Sequence, residues 1–512
     1  MPAKTSLSRP QRLRLLTVIG GVLALVTLAF LISSSSLPPS LRSSSKSISH
    51  FHLVLPATAA TIDLCRLLLS CAVTGYPDPI FLGWGGHGAY DGAKSHLFKI
   101  SETLAYLNSL PPSADDDLVL LLDGYDIFMQ LRPDVLIRRY WSMVDRANAR
   151  LNAEGILDKD YGGSRVRQTI FFGPDKICWP TYPKRPACWA VPESSLDKMA
   201  FGPNTDRDMI PNRPRWLNSG TIMGPAKDMR DMFQGVMSML NRKYDESFTQ
   251  HNSDQYYFQE VWGEQEIARI QLRDGKVEPP EVDDGFGDVP DLSDGRRTEY
   301  HIALDYASEL FQTNAAYAEF CTWMRYNHSS GSTPLLNDIN GVSIPHPDEH
   351  LRLDQFSLPQ EVVSSSPPIS LKSLQSLGLP LHTGWKEMML GVNTVTQQPF
   401  PMFHMTGDKT IRERWWPRMW FHPHGEALLK ASKSSDQQQQ VGDGVLIAEV
   451  DGIKYVGARV PGSPPLNDGQ GANTKDTKPN KGGGWSDQGE WISWDTMCAT
   501  HESTLFLTAG DR

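Results

Sequence analysis

Residues 117–122 (DLVLLL) form a near-continuous apolar run, and no other stretch of the chain constrains the fold as strongly. A strand that is apolar at every position is covered on both faces, as happens when helices pack above and below a parallel sheet. Upstream, 51–58 (FHLVLPAT) is a short apolar run ending in Pro and Thr, the pattern of a first buried strand. Residues 63–73 (DLCRLLLSCAV) have helical spacing of their apolar side chains, 79–84 (PIFLGW) is a second strand candidate, and 97–110 returns to helical periodicity. This alternation predicts a doubly wound α/β sheet whose ligands sit beyond the carboxyl ends of the strands. Short strands are expected at 169–173 and 221–224, a helix at 229–240, and an Asp/Gly/Pro-rich surface loop at 277–297.

Asp123-Gly124-Tyr125-Asp126 follows directly on the apolar run, so both carboxylates emerge at the C-terminal edge of the sheet. Hard divalent cations take oxygen ligands, and two Asp on one turn can share an ion that also holds a diphosphate. The same tetrapeptide serves equally well as a solvated turn capped by Asp, and the residues alone leave both readings open. His404 ends the short apolar run 400–404 (FPMFH); imidazole suits Mn²⁺ better than Mg²⁺, although a single His in such a place also serves structure. Asn218-Ser219-Gly220 reads either as an ordinary turn or as one whose Gly admits close approach of a ligand to the backbone.

Residues 15–32 carry no charge and are long enough to cross a hydrocarbon core of about 30 Å as a helix. Lys4, Arg9, Arg12 and Arg14 precede them, so the positive-inside rule predicts a cytoplasmic tail at 1–14, a membrane anchor at 15–32 and a lumenal remainder. A cleaved signal peptide is the rival reading. A Ser/Pro-rich stem is expected at 33–50, a globular domain at 51–429 and a largely low-complexity tail at 430–512, within which 444–458 can pair as a hairpin and 485–494 can dock. Six cysteines fit an oxidising lumen, and Cys178 and Cys188, in one Pro-rich loop, are the favoured pair. Asn327-His328-Ser329 is a glycosylation sequon. A formal net charge of −10 argues against a chain built to wrap a nucleic acid polymer.

The segment LLLDGYDIFMQL at 120–131 resembles the strand and D-x-x-D element of the glycosyltransferase domain in the procollagen galactosyltransferase and lysyl hydroxylase group. Further similarities follow in the family's order: FGPDKICWP at 172–180, WLNSGTIMG at 216–224, NSDQYYF at 252–258, LDYASELFQTNAA at 304–316 and FHMTGDK at 403–409. The resemblance spans 52–424 and implies a GT-A fold, the Rossmann-like architecture of nucleotide-diphospho-sugar transferases, behind the N-terminal transmembrane helix. It further implies a UDP-sugar donor, a protein or glycan acceptor, and Mn²⁺ or another divalent cation held by Asp123, Asp126 and His404. Tyr125 would then stack on the donor's uracil, with Trp84, Lys99, Asn218, Ser219, Gly220, Gly407 and Lys409 on the donor side. Asp254 would be the carboxylate beside the reacting sugar, orienting the acceptor hydroxyl or taking its proton. Two departures stand out: Met405-Thr406 replaces the family's Gly-Asn after the His, and Asp254 stands where the family carries an acidic run. Together with the anchor, the resemblance implies a single-pass type II protein of the Golgi or endoplasmic reticulum membrane. A glycoside hydrolase needs two acids about 5 to 10 Å apart across a bond, unlike two Asp on one turn. A GT-A-like lumenal binding or scaffold protein without catalysis is the remaining alternative.

Overall fold

The computed structural model describes residues 46–88, 96–281, 289–326, 356–366, 384–433, 439–461 and 481–506. These fall in the second of two units, 45–512. The expected anchor at 15–32 and the sequon at 327–329 lie outside the described residues. Among the described residues no helix is long and apolar enough to cross a membrane.

The first elements are β1 (Ile48–Pro56), α1 (Ile62–Thr74), β2 (Ile80–Leu82), α2 (Leu97–Ser109), β3 (Leu118–Leu122), β4 (Ile127–Met129) and α3 (Pro133–Ala153). Next come β5 (Ile170–Asp175), β6 (Trp216–Pro225), α4 (Ala226–Lys243), α5 (Asp254–Asp274), β7 (Ile302–Leu304) and β8 (Phe311–Thr313). After β9 (Met402–His404), the C-terminal part adds β10 (Gly444–Val450), β11 (Ile453–Gly457), β12 (Gly483–Ser486) and β13 (Trp491–Ser493). The apolar run becomes β3, with all five residues buried. Thr61 starts α1 by accepting a hydrogen bond from the Leu64 amide at 3.1 Å, and Gly75 stops it in the left-handed region at φ 86°. Helix α4 turns Met229, Met232, Phe233, Val236 and Leu240 toward the sheet, the three-and-four spacing of an amphipathic helix.

The main sheet runs β10-β11-β1-β3-β6-β5-β7. The fold is mixed α/β, as expected and compatible with a Rossmann-like sheet; β1 is parallel to β3, while β6 lies antiparallel to both β3 and β5. The physical reason is the connection between β5 and β6. It is a loop excursion stapled by the expected Cys178–Cys188 disulfide, and a chain that returns through a loop pairs antiparallel without a crossover helix.

The reading of 430–512 as mainly a tail is corrected. Residues 444–457 form a hairpin whose strand β11 runs parallel to the first half of β1, with Ile48 opposite Lys454. Strand β12 pairs with β2, and Cys498 is disulfide-bonded to Cys65 of α1. These segments look polar because Gly, Asp and Lys surround the few large side chains that they bury, among them Tyr455, Val456, Trp485 and Trp494. Strand β1 begins at Ile48, inside the expected stem. Cys71 and Cys321 are free and buried.

Candidate metal centre

Asp123 leaves the end of β3, its amide donating to Gly220 O of β6 at 2.8 Å. Gly124 follows where a Cβ would stand 2.7 Å from Pro56 O, so the turn tolerates no side chain there. Asp126 ends the turn and β4 begins at once. In a second sheet, β9 lies between β8 and β4, pairing His404 with Ile127 in antiparallel register. The Met405 amide then donates to Asp126 O at 2.8 Å. Two short strands thus bring His404 beside an acidic turn far from it in sequence.

The three side chains converge. His404 Nε2 lies 3.4 Å from Asp126 Oδ1 and 3.8 Å from Asp123 Oδ2. One ligand atom from each lies within 4.8 Å of the others. Gly220 keeps the space between them open: a Cβ there would stand 2.1 Å from His404 Cε1 and 2.7 Å from Asp123 Oδ2. Asp126 Oδ1 is buried and makes no hydrogen bond among the described residues. Two carboxylate oxygens and one imidazole nitrogen around such a space fit Mn²⁺ or a similar cation.

The outer oxygens of the two carboxylates are already neutralised. Lys99 Nζ, buried, reaches Asp123 Oδ1 at 2.9 Å, Asp254 Oδ2 at 2.5 Å and Ser219 O at 3.0 Å. Lys409 Nζ lies 2.5 Å from Asp126 Oδ2 and 3.0 Å from Met405 O. Burial works against the Lys99 ammonium, but Asp123 and Asp254 outweigh it and raise its pKa above the ordinary value. Burial likewise works against the Asp254 carboxylate, and Lys99 more than offsets this, so Asp254 titrates below the usual range. Asp126 behaves in the same way beside His404 and Lys409. Asp254 opens α5, where the helix dipole also favours its charge.

Asn218, Ser219 and Gly220 lie within β6, at an irregularity where Gly173 pairs with Asn218 directly after Phe172 has paired with Ile222. Such bulges re-aim backbone and side chains beside ligand sites. Asn218 Oδ1 accepts from the Gly220 amide at 3.0 Å, and its Nδ2 donates to Gln255 Oε1 at 3.3 Å. Tyr125 is half-buried, its hydroxyl accepting from the amides of Thr58 at 2.9 Å and Ala59 at 3.1 Å. Gly407 adopts φ 75°. Thr406, one of the departures, accepts from the amides of Asn314 at 3.1 Å and Ala315 at 2.8 Å, which fixes the loop after β9.

A cleft of about 540 Å³ opens over these groups, bordered by Tyr125, Asn218, Asp254, His404, Gly407 and Lys409 among others. Trp84 is not among the lining residues; its ring packs on Phe81, with centroids 5.3 Å apart. Sequence reasoning missed Trp179, Gln255 and Arg412, which do line the cleft. Trp179 is 43% exposed beside the Cys178–Cys188 disulfide, and a Trp adjoining one Cys of the favoured pair is the signal that could have marked it. Arg412 carried no comparable signal. No protein-family model matches this chain, and no curated protein sequence matches it.

Proposed function

We propose that the protein is a metal-dependent glycosyltransferase of GT-A type, moving a sugar from a UDP-sugar donor to a protein or glycan acceptor. The observation that carries this reading is the convergence of Asp123, Asp126 and His404 at the carboxyl edge of the sheet, around a space that only Gly220 leaves open. The ordered resemblance of the segments around these residues to the procollagen galactosyltransferase and lysyl hydroxylase group supports it. The uncharged segment at 15–32, with its basic flank, supports a type II anchor in the Golgi or endoplasmic reticulum membrane and a lumenal site.

When bound, the cation supplies Lewis-acid neutralisation of the diphosphate leaving group. Lys99 and Lys409 balance the charges of Asp123 and Asp126, so an added divalent ion leaves the centre with a net positive charge that an anionic diphosphate matches. Tyr125 and the Asn218-to-Gly220 bulge hold the donor's base and sugar, and Gly407 and Lys409 close on its phosphates. Asp254 faces the acceptor side. A carboxylate tied to Lys99 is a weak base, which favours orienting the acceptor hydroxyl over removing its proton early in the reaction.

The test is release of UDP from a panel of UDP-sugars, with and without Mn²⁺ and with EDTA. Cleavage that requires the metal supports the proposal. Metal binding without cleavage of any donor in the panel, with acceptors added, would support the scaffold alternative instead.

A further inference from the structure

The two halves of the centre come from distant parts of the chain, and one side chain touches both. Arg412 Nη1 donates to Tyr125 O, inside the acidic turn, at 3.1 Å and to Asp63 Oδ2 at 2.6 Å. Its Nε donates to Lys409 O, on the loop that follows His404, at 3.3 Å. Asp63 lies in the first turn of α1, immediately after the segment whose amides hold the Tyr125 hydroxyl. Asp63 also pairs with Arg66 at 3.0 Å, and Arg66 makes a two-pronged pair with Glu413, both contacts at 2.6 Å. Arginines and carboxylates thus alternate from Arg412 through Asp63 and Arg66 to Glu413, joining α1 to the helix Thr410–Trp415. Arg66 is almost fully buried, and Arg412 is only 22% exposed.

From this geometry we infer that Arg412 is a positioning residue for the metal centre, setting the separation between the Asp123–Asp126 turn and His404. The β4–β9 pairing fixes the backbone beside Ile127 and His404, and the Asp123 amide bonds to Gly220 O, but neither gives the Tyr125 carbonyl in the middle of the turn a hold. Arg412 supplies that hold. Its planar guanidinium reaches three acceptors on three segments, which a lysine ammonium cannot reproduce in the same plane. Groups that orient ligands from behind typically change metal affinity 10–100-fold when removed.

The inference rests on the metal-centre reading, and its test measures metal uptake directly, without donor. Mn²⁺ titration of the full-length chain, followed by loss of the free-ion EPR signal, is compared for wild type, Arg412→Gln, Arg412→Lys and Asp63→Asn. Arg412→Gln should weaken Mn²⁺ binding about 10-fold or more, with the melting temperature little changed, and Arg412→Lys should recover part of the loss. A purely structural role would lower the melting temperature and leave the affinity alone. If Arg412→Gln does not fold, Asp63→Asn decides, since it keeps the guanidinium but frees it from α1 and should weaken binding several-fold. Wild-type Mn²⁺ affinity in Arg412→Gln, or in Asp63→Asn where that variant decides, overturns the inference. Wild type that binds Mn²⁺ but cleaves no UDP-sugar would end the transferase reading and leave the Arg412 result to stand on its own. Wild type that takes up no Mn²⁺ ends both.

Discussion

Strand β3 is flanked by an aspartate at each end, and the two are treated differently. Asp117, just before the strand, accepts from Ser49 Oγ at 3.3 Å and from the His50 amide at 3.1 Å. It also faces Lys46 at 3.7 Å, His50 at 3.5 Å and His52 at 3.8 Å. Burial works against its charge, yet His50 and the nearby His52 outweigh that and hold its carboxyl far below the usual range. Beyond the other end, Asp123 and Asp126 have a lysine on one oxygen each, while Asp123 Oδ2 and Asp126 Oδ1 face His404 Nε2. The structural carboxylate is surrounded by protein groups. The candidate functional pair is left short on one side, and the short sides point at each other.

Replacing both Asp123 and Asp126 by Ala should abolish Mn²⁺ binding and lower donor cleavage by at least about 100-fold, because a direct ligand matters more than a group behind it. Calorimetry and the UDP-release assay check this. Gly220→Ala sharpens the point, since one methyl in the ligand space should remove metal binding in a folded chain. His404→Ala should recover part of its activity at high Mn²⁺, which the double Asp variant should not.

Asp117→Ala should do the opposite. Stripping a buried ionic cluster of its carboxylate costs about 3 kcal/mol or more in stability, read by denaturant unfolding, while Mn²⁺ affinity of the folded fraction stays at the wild-type value. A change in Mn²⁺ affinity would break the separation of the two ends.

The Asp117 end should also carry a pH signature. Its hydrogen bond to Asp117, opposed by burial and helped by Asp443 at 2.9 Å, raises the His50 pKa to about 9. A group whose pKa is raised on folding contributes fully below its unfolded value of about 6.5. That contribution is lost as pH climbs through about 9. The stability difference between wild type and His50→Gln should therefore shrink between those limits. A constant difference over that window would disprove the assignment.

The smallest effect is expected at Tyr125. Tyr125→Ala should raise donor KM with kcat little changed, since contact with a base remote from the breaking bond is felt alike in ground and transition states. Tyr125→Phe leaves the Thr58 and Ala59 amides without their acceptor and should cost about 1 kcal/mol of stability.

The legibility of these features follows from how each is encoded. Strand β3 could be read because a strand covered on both faces is apolar at every position, and the acidic turn because it adjoins that strand. The Cys178–Cys188 pair was legible from its short loop. The hairpin within 444–458 and the docking of 485–494 were legible too, while the Gly, Asp and Lys around them made 430–512 as a whole read as mainly a tail. The antiparallel placing of β6 depends on a loop route that periodicity does not record. Arg412 binds the backbone carbonyls of Tyr125 and Lys409, which any residue offers, and the Asp63 carboxylate, which is far from it in sequence, so no motif marks its partners.

The bond between Cys65 and Cys498 spans 433 residues of chain, and that span is also an interval of time. At about 5–20 residues per second of synthesis, Cys65 emerges roughly 20 to 90 s before its partner exists. Through that interval the edge of β1 that will receive β11 stays uncovered, and Cys71 is the nearest thiol in sequence. The nascent chain therefore needs shelter from edge-to-edge association and a way to undo a wrong sulfur pairing, both of which a compartment equipped with chaperones and thiol-exchange catalysts provides.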